Sequence, residues 1–368
     1  MSNIAGFEDK LRDARVLVTG HSGFTGGWVT LWLSRIGAQV HGLSLPPETT
    51  PNLFSLAGIE AACASSVFAD IREPAALRAA FDRVRPDLVL HLAAQPLVRR
   101  SYAQPVETYA TNLMGTLHVL EAARRQSGVK GVVCITTDKV YANRETDHAY
   151  QETDPLGGHD PYSASKACAE IAIESYRRSL SSWDASLLIA SARGGNIIGG
   201  GDWSQDRLIP DFARAAARHE PLVIRNPMAV RPWQHVLCLC HAYLVLLAAI
   251  ARGRADAAQP WNIGPERSDC VTVEEMLARL SRHWSALRVE VVPSIAHEAQ
   301  LLMLDSSKAR RELGWHPAWT LHEALAETAG WYRGHYEDPA GARPRTLAQI
   351  EAYRAALTTA SLKAGTGT

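Results

Sequence analysis

Arg15-Val16-Leu17-Val18-Thr19-Gly20-His21-Ser22-Gly23-Phe24-Thr25-Gly26 is the stretch from which the fold can be read. Arg15 to Thr19 is a short aliphatic, β-branched run, the pattern of a buried strand. The glycines follow at once, and an amphipathic helix is predicted from there to Ile36. This is strand, glycine-rich turn, helix. Glycines let the backbone turn tightly and approach a pyrophosphate, which then rests on the helix N-terminus. A plain strand-to-helix turn has little need of three glycines. Gly20, Gly23, Phe24, Thr25 and Gly26 are therefore candidate dinucleotide-binding residues.

Working outward, Gln39 to Leu45 is the second strand. Many dinucleotide folds place an acid near its end to hold the ribose hydroxyls. Here the end is Ser44-Leu45-Pro46, with Glu48 beyond, so that position leaves NAD and NADP open. No arginine marks a 2′-phosphate site, and NAD is the expected preference. Val67 to Ile71 ends a third strand. Asp70 is placed there either to meet an adenine, beside Ile71, or to cap the next helix with Glu73 three residues on. Leu88 to Ala94 is the fourth strand. Its small end, Leu92-Ala93-Ala94-Gln95, lets backbone pass close to a cofactor. A helix carrying Thr111-Asn112 and Gly115-Thr116 follows.

Val132-Val133-Cys134-Ile135 is a fifth, apolar strand. Thr136-Thr137-Asp138-Lys139 should therefore lie at its carboxyl end, where open parallel sheets bind ligands. Tyr162 and Lys166 open the next helical segment, Ser163 to Leu180. They are four apart and share a helix face. An ammonium beside a phenol favours the phenolate, which would make Tyr162 a base near neutral pH. Asp138 and Lys139 are expected to point to opposite sides of an extended strand end. A sixth strand is predicted from Ala185 to Ala192. Alternating strands and helices to about residue 193 define an α/β fold, a doubly wound parallel sheet.

After Arg193 the texture changes. Gly194-Gly195-Asn196 and Gly199-Gly200-Gly201-Asp202-Trp203 are loop chemistry. Short strands (Leu222 to Arg225, Trp261 to Ile263, Val289 to Val292) mix with helices near 206–218, 272–284 and 321–335. This reads as a smaller mixed α/β lobe. Arg207, Arg225 and Arg231 punctuate its loops and suit a diphosphate. The expected division is 10–195 for the dinucleotide-binding domain, with part of 228–260 returning to it. Residues 196–227 and 261–350 form the smaller lobe, and 361–368 a flexible tail.

Composition narrows the partners. Over 368 residues, 38 basic side chains balance 38 acidic ones, so nothing points to nucleic acid or an anionic membrane. No apolar run reaches the ~18 residues of a membrane span. Ala242 to Ala251 is the longest, and reads as a buried helix. The N-terminal residues lack a signal-peptide core, and a cytoplasmic location is the expectation. The six cysteines form no C-x-x-C pair. Cys238 and Cys240, before His241, would diverge by roughly 200° on a helix, and no metal site is expected.

Gly20/Gly23/Gly26, Asp70, Ala93-Ala94, Asn112, Thr137-Asp138 and Tyr162/Lys166 together resemble the extended short-chain dehydrogenase/reductase superfamily, two-lobed enzymes acting on nucleotide sugars. The resemblance spans about residues 14 to 335. Several stretches are similar to the CDP-glucose 4,6-dehydratase branch: Ala93 to Tyr102, Asp138-Lys139, Asp154 to Ser163, Gly194 to Trp203, Arg207 to Asp211, Arg225 to Pro227, Arg231 to Val236, Glu298-Ala299 and Leu304 to Ala309. Most dehydratase relatives carry Thr-Asp-Glu after strand five; here the third residue is Lys139. The chain departs from the branch at Thr146 to Tyr150, where a tryptophan-containing stretch is usual.

The resemblance implies a hydro-lyase using NAD, with no net redox change, that supplies deoxysugars for products such as lipopolysaccharide O-antigen. Tyr162, helped by Lys166, takes the proton of the sugar 4-hydroxyl while C4 gives up hydride. Thr137 hydrogen-bonds the 4-oxygen, Asp138 is the acid at the 6-hydroxyl, and Lys139 is the base at C5. It also implies cofactor contacts by Leu92, Asn112 and Thr136, and substrate contacts by Gln95, Arg100, Ser101, Asn196, Trp203, Arg207, Leu208, Arg225, Arg231 and Gln234. A homodimer or homotetramer is implied. Two rivals remain at this stage: a 4-epimerase or reductase, which has no use for Asp138-Lys139, and a non-catalytic dinucleotide-binding regulator, which would tend to lose Tyr162 or Lys166.

Overall fold

The computed structural model describes residues 4–180, 186–284, 287–292 and 300–365. Its centre is a parallel sheet of seven strands: β1 Arg15–Thr19, β2 Gln39–Ser44, β3 Ser65–Phe68, β4 Leu88–His91, β5 Gly131–Ile135, β6 Leu188–Gly194 and β7 Pro260–Ile263. The order across the sheet is β7-β6-β5-β4-β1-β2-β3. The chain winds from β1 to one side, then returns to β4 and winds to the other. The gap between the carboxyl ends of β1 and β4 is thus the switch point, where such sheets bind ligands. The expected doubly wound sheet is observed.

Both faces are covered, as parallel sheets require. One face carries the helices Phe24–Arg35 and Val236–Ala251. The other carries Pro74–Val84, Gly115–Arg125 and, through Ile173 and Tyr176, the later half of Pro161–Leu180. The Phe24 helix is not amphipathic. Gly26 to Leu33 are all buried, because the sheet lies on one side and the helix Ala342–Gly365 on the other. Trp28 and Trp32 are fully buried in it. Burial of such side chains is worth about 1.5–3 kcal/mol each.

Three boundaries differ from the sequence reading. Pro260–Ile263, assigned to the smaller lobe from Trp261 on, is the edge strand of the main sheet, paired in parallel with β6. Its burial comes from its sheet partner and neighbouring helices, which four residues cannot announce. The Ala342 helix runs to Gly365, through most of the expected tail; residues 366–368 lie outside the described residues. β6 begins at Leu188, and Ala185, Glu298 and Ala299 also lie outside them.

The smaller lobe is built from short pairings. Val230–Pro232 runs antiparallel to Cys270–Thr272, and Leu222–Ile224 runs parallel to Val289–Val291. The helices Leu208–Arg218, Val273–Ser281 and Leu321–Glu337 complete it. In the Thr146–Tyr150 departure Thr146 to His148 are exposed, and Tyr150 joins a small core with Val140, Tyr141, Ala167, Leu302 and Leu304. Ala149–Tyr150 pairs with Met303–Leu304, and Tyr150 stacks on Tyr141 with ring centroids 5.0 Å apart.

Candidate active site

A cavity of ≈ 1610 Å³ runs along the carboxyl edge of the sheet into the smaller lobe. A single small-molecule site takes about 300–1,000 Å³, so there is room for two ligands. Its first end is the glycine turn. Gly20 has φ +79°, and a Cβ there would lie 2.8 Å from Ala93 N. A Cβ on Gly26 would lie 2.0 Å from Gly20 O. Only glycine fits either position. Gly23 caps the Phe24 helix without a side chain, leaving its first-turn N–H groups for an anion. Phe24, Thr25, Asp70, Ile71, Leu92, Ala93 and Ala94 line the same end. The donors and the cradle fit a dinucleotide pyrophosphate.

The end of β2 has its own arrangement. His21 is buried with its ring packed over Gly42, where a Cβ would meet the ring at 2.2 Å. Its nitrogens contact Ser44 Oγ at 3.0 Å and Ser66 Oγ at 2.7 Å. The Ser44 hydroxyl, at the cavity wall, is thereby engaged by His21. Asp70 does not cap the next helix; Glu73 is the capping residue of Pro74–Val84. The Asp70 carboxylate instead accepts from Arg72 N at 2.8 Å and from its guanidinium at 2.8 and 2.6 Å. Arg72 holds the Asp70 carboxyl below its ordinary range. Arg100 donates to Glu48 at 2.8 and 3.0 Å, and both line the cavity. Arg72, Glu48 and Glu107 were not legible as site residues, because contacts between loops after different strands leave no spacing in sequence.

At the middle of the cavity the chain leaves β5 and tightens into a 3₁₀ turn, Asp138–Val140. The turn removes the alternation expected of a strand end. Asp138 and Lys139 do not point apart: Lys139 Nζ donates to Asp138 Oδ1 at 3.4 Å and to Asn196 Oδ1 at 3.4 Å. Thr137 Oγ1 donates to Asp138 Oδ1 at 3.0 Å and accepts from Lys139 N at 3.3 Å. Asp138 is 1 % exposed, and its Oδ2 has no hydrogen-bond partner among the described residues. A buried carboxyl oxygen without a partner is costly, and this one borders the cavity.

Tyr162 and Lys166 are buried beside this turn and line the cavity. The expected lowering of the phenol is not observed. Burial pushes Tyr162 up to about 12, against a smaller lowering by the Thr137 hydrogen bond. Lys166 is itself lowered to about 8, chiefly by burial. The reason is local: Lys166 Nζ donates to Ile135 O at 3.0 Å, so a strand-end carbonyl holds the ammonium.

Gln95, Arg100, Asn196, Trp203, Arg207, Leu208, Arg225, Arg231 and Thr136 also line the cavity. Arg207 lies 3.4 Å from Asp202, and Arg225 is paired with Asp206, which also holds Arg99 at 3.1 Å. Three expected residues stand behind the wall. Asn112 is 1 % exposed; it donates to Gln95 O at 3.1 Å and Ser165 Oγ at 2.9 Å and accepts from Gln95 N at 2.8 Å. It braces the β4 loop against the Tyr162 helix, and touches no cavity surface. Ser101 Oγ donates to Val98 O at 2.6 Å within its own helical turn. Gln234 Nε2 donates to Ile263 O at 3.0 Å, locking β7. All three polar side chains satisfy backbone groups that would otherwise be buried unpaired.

Cys238 and Cys240 are buried in the Val236 helix, and His241 stacks on Trp32 at 6.4 Å. Among the described residues no helix is long and apolar enough to cross a membrane.

A doubly wound sheet, a glycine cradle at its switch point and a Tyr-x-x-x-Lys pair beside a Thr-Asp-Lys turn define a dinucleotide-dependent enzyme of the short-chain dehydrogenase/reductase type. Comparison with known proteins narrows the class. Residues 17–328 match the family described as GDP-mannose 4,6 dehydratase, and the chain belongs to that family. It is 44 % identical to a CDP-glucose 4,6-dehydratase of Salmonella typhimurium over 328 residues, 87 % of this chain and 90 % of the relative. It is 30 % identical to a dTDP-glucose 4,6-dehydratase of Xanthomonas campestris over 337 residues, 86 % of this chain and 92 % of the relative. Among solved structures, the UDP-glucose 4-epimerase of Thermus thermophilus in complex with NAD superposes with a TM-score of 0.75 at 26 % identity, covering 87 % of this chain and 99 % of that one.

Proposed function

We propose that this chain is an NAD-dependent hydro-lyase converting CDP-D-glucose to CDP-4-keto-6-deoxy-D-glucose. The observation that carries this reading is the Thr137–Lys139 turn beside Tyr162, in one cavity with the glycine cradle. The 44 % identity to a CDP-glucose 4,6-dehydratase supports the same choice of substrate. NAD, when bound, supplies a hydride acceptor at C4 and returns the hydride to C6. Tyr162 takes the 4-hydroxyl proton, and Thr137 orients the 4-oxygen. The 4-ketone acidifies C5. Lys139 takes the C5 proton and Asp138 protonates the leaving 6-hydroxyl, which departs as water; once hydride has returned to C6, Lys139 gives its proton back to C5.

The unpartnered Oδ2 of Asp138 is the proton site that this scheme needs. Lys139 Nζ donates to two oxygen acceptors, Asp138 Oδ1 and Asn196 Oδ1. Base action therefore requires the sugar to enter between Lys139 and Asp138, weakening the 3.4 Å contact. Tyr162 at about 12 is a poor base until the site is filled. Gly20 to Gly26, Asp70 to Ile71 and Leu92 to Ala94 are assigned to the cofactor. Arg207, Arg225 and Arg231 are assigned to the diphosphate, with displacement of Asp202 and Asp206 from two of them. Asn143, Arg144 and Glu145, which line the cavity, join the substrate residues. We place the enzyme in the cytoplasm as a homo-oligomer, feeding deoxysugar assembly such as that of O-antigen.

The test is incubation with CDP-, dTDP-, GDP- and UDP-glucose in the presence of NAD⁺. CDP-glucose should give a product with the alkali-induced chromophore of a 4-keto-6-deoxy sugar. A CDP-sugar epimer without that chromophore would make the chain an epimerase instead.

A further inference from the structure

Beneath the cavity floor lies a charged pair that the reaction scheme does not use. Glu170 is 2 % exposed and Arg193 3 % exposed. Arg193 Nη2 donates to Glu170 Oε2 at 2.8 Å. Glu170 also accepts from Thr136 Oγ1 at 2.5 Å and Ser191 Oγ at 3.0 Å. Arg193 Nη1 donates to Tyr141 OH at 2.9 Å and Glu152 O at 3.1 Å. Tyr141 OH in turn donates to Asn262 Oδ1 at 2.6 Å.

Two features of this placement matter. Thr136 immediately precedes Thr137-Asp138-Lys139, and Tyr141 closes the same turn. The pair therefore grips the Thr137–Val140 turn at both ends, the carboxylate on one side and the guanidinium on the other. Arg193 also leads through Gly194-Gly195 to Asn196, which holds Lys139. Glu170 sits four residues after Lys166 on the Tyr162 helix, on the same face. A buried ion pair is replaceable by apolar side chains at little cost in stability, so stability alone gives no reason for this one.

We propose that Glu170 and Arg193 are positioning residues. They fix the Thr137–Lys139 turn from below, and Glu170 is the counter-charge that keeps Lys166 protonated. The proposal rests on the assignment of Lys166 as the partner of Tyr162. On the Arg193 side, the pair is surrounded by the Tyr141 phenol, the Glu152 carboxyl and Lys308. Arg177, on the same helix, is paired with Glu174 and donates to Ile189 O. Cys134 of β5 is a buried thiol pushed up to about 12. His91 of β4 faces Lys166 and is held neutral. Burial lowers Lys166, and Cys134 and then Glu170 oppose it.

The test uses Glu170→Gln, Arg193→Gln and the double variant. The Lys166 side-chain nitrogen is titrated by NMR in ligand-free protein carrying isotope-labelled lysine. Glu170→Gln should move the Lys166 midpoint down by about one pH unit, and Arg193→Gln should move it up by a similar amount. The double variant should return it to within a few tenths of wild type, yet lose about tenfold in kcat with KM nearly unchanged. Unmoved midpoints in the folded single variants would overturn the counter-charge. A double variant with wild-type kcat would overturn the positioning role. If Glu170→Gln does not fold, Arg193→Gln against the double variant gives the same comparison. The titration reads Lys166 without substrate, so failure of the dehydratase reading would not be mistaken for failure here.

Discussion

At the scale of single residues, the account assigns separate steps to Tyr162 and Lys139. Tyr162→Phe should lower the first hydride transfer by about 10²-fold or more, with NAD⁺ affinity little changed. Single-turnover NADH formation at near wild-type rate would remove Tyr162 from the role of base. Lys139→Met keeps length and removes the amine. It should leave C4 oxidation measurable and slow elimination by about 10²–10⁴-fold, so that bound NADH accumulates and exchange of the C5 proton with solvent deuterium is lost. Continued C5 exchange would place the base elsewhere. Glu145 would then be examined first, since it lines the cavity. His148 does not line it; it contacts Asp154 at 2.7 Å and the edge of Tyr150. That Tyr162, Lys166 and Asp138-Lys139 line one cavity was legible from sequence, because they carry local spacing at neighbouring strand and helix ends. Their protonation was not. It depends on Ile135 O and on burial, and neither can be read from a four-residue interval.

At the scale of elements, the glycine turn is the most constrained piece of the chain. Gly20 and Gly26, read from sequence as part of a tight turn, are each required there by a backbone approach, whereas a Cβ on Gly23 would lie 3.3 Å from Gly20 O. Gly26→Ala would drive a methyl group into Gly20 O. Overpacking of this kind costs about 1–3 kcal/mol, here at the pyrophosphate cradle. Fluorescence titration should show NAD⁺ binding weakened at least about tenfold, equal to about 1.4 kcal/mol. Unchanged affinity would mean that the cofactor does not rest on this turn. The short elements were less legible. Pro260–Ile263 joined the main sheet, and Asp138–Val140 became a 3₁₀ turn, because long-range pairing decides such segments rather than propensity. Asn112 was given to the cofactor by resemblance, yet its amide is fully engaged in bracing Gln95 and Ser165.

At the scale of the whole molecule, the cavity between sheet and smaller lobe has room for two ligands, and buried histidines set the acid limit of the fold. Burial lowers His21 to about 4, and His91, His235 and His241 to about 3. In the unfolded chain these groups protonate near the ordinary ~6.5. Below that pH the unfolded state binds more protons than the folded one, so stability falls with falling pH; above it the penalty is absent. Each buried histidine costs up to on the order of 4 kcal/mol, against a typical total of about 5–15 kcal/mol. The melting temperature should therefore drop steeply from about pH 6 to about pH 4. His241→Phe should flatten that drop, since His241 Nδ1 has no partner among the described residues and the ring packs between Trp32 and Tyr353. An unchanged slope would assign acid lability to other groups. Cofactor choice also belongs to this scale. With Arg100 and Arg72 paired with carboxylates, the cavity end beside β2 and Asp70 has no unpaired cation among the described residues. Parallel titrations should show NAD⁺ bound more tightly than NADP⁺, and tenfold tighter NADP⁺ would contradict this. The central claim is internal oxidation and reduction around an elimination. It is tested most directly with CDP-glucose deuterated at C4, followed by mass spectrometry of the product. The account predicts a 4-keto-6-deoxy sugar with the deuterium at C6. Deuterium retained at C4, or a product that keeps its 6-hydroxyl, would contradict it.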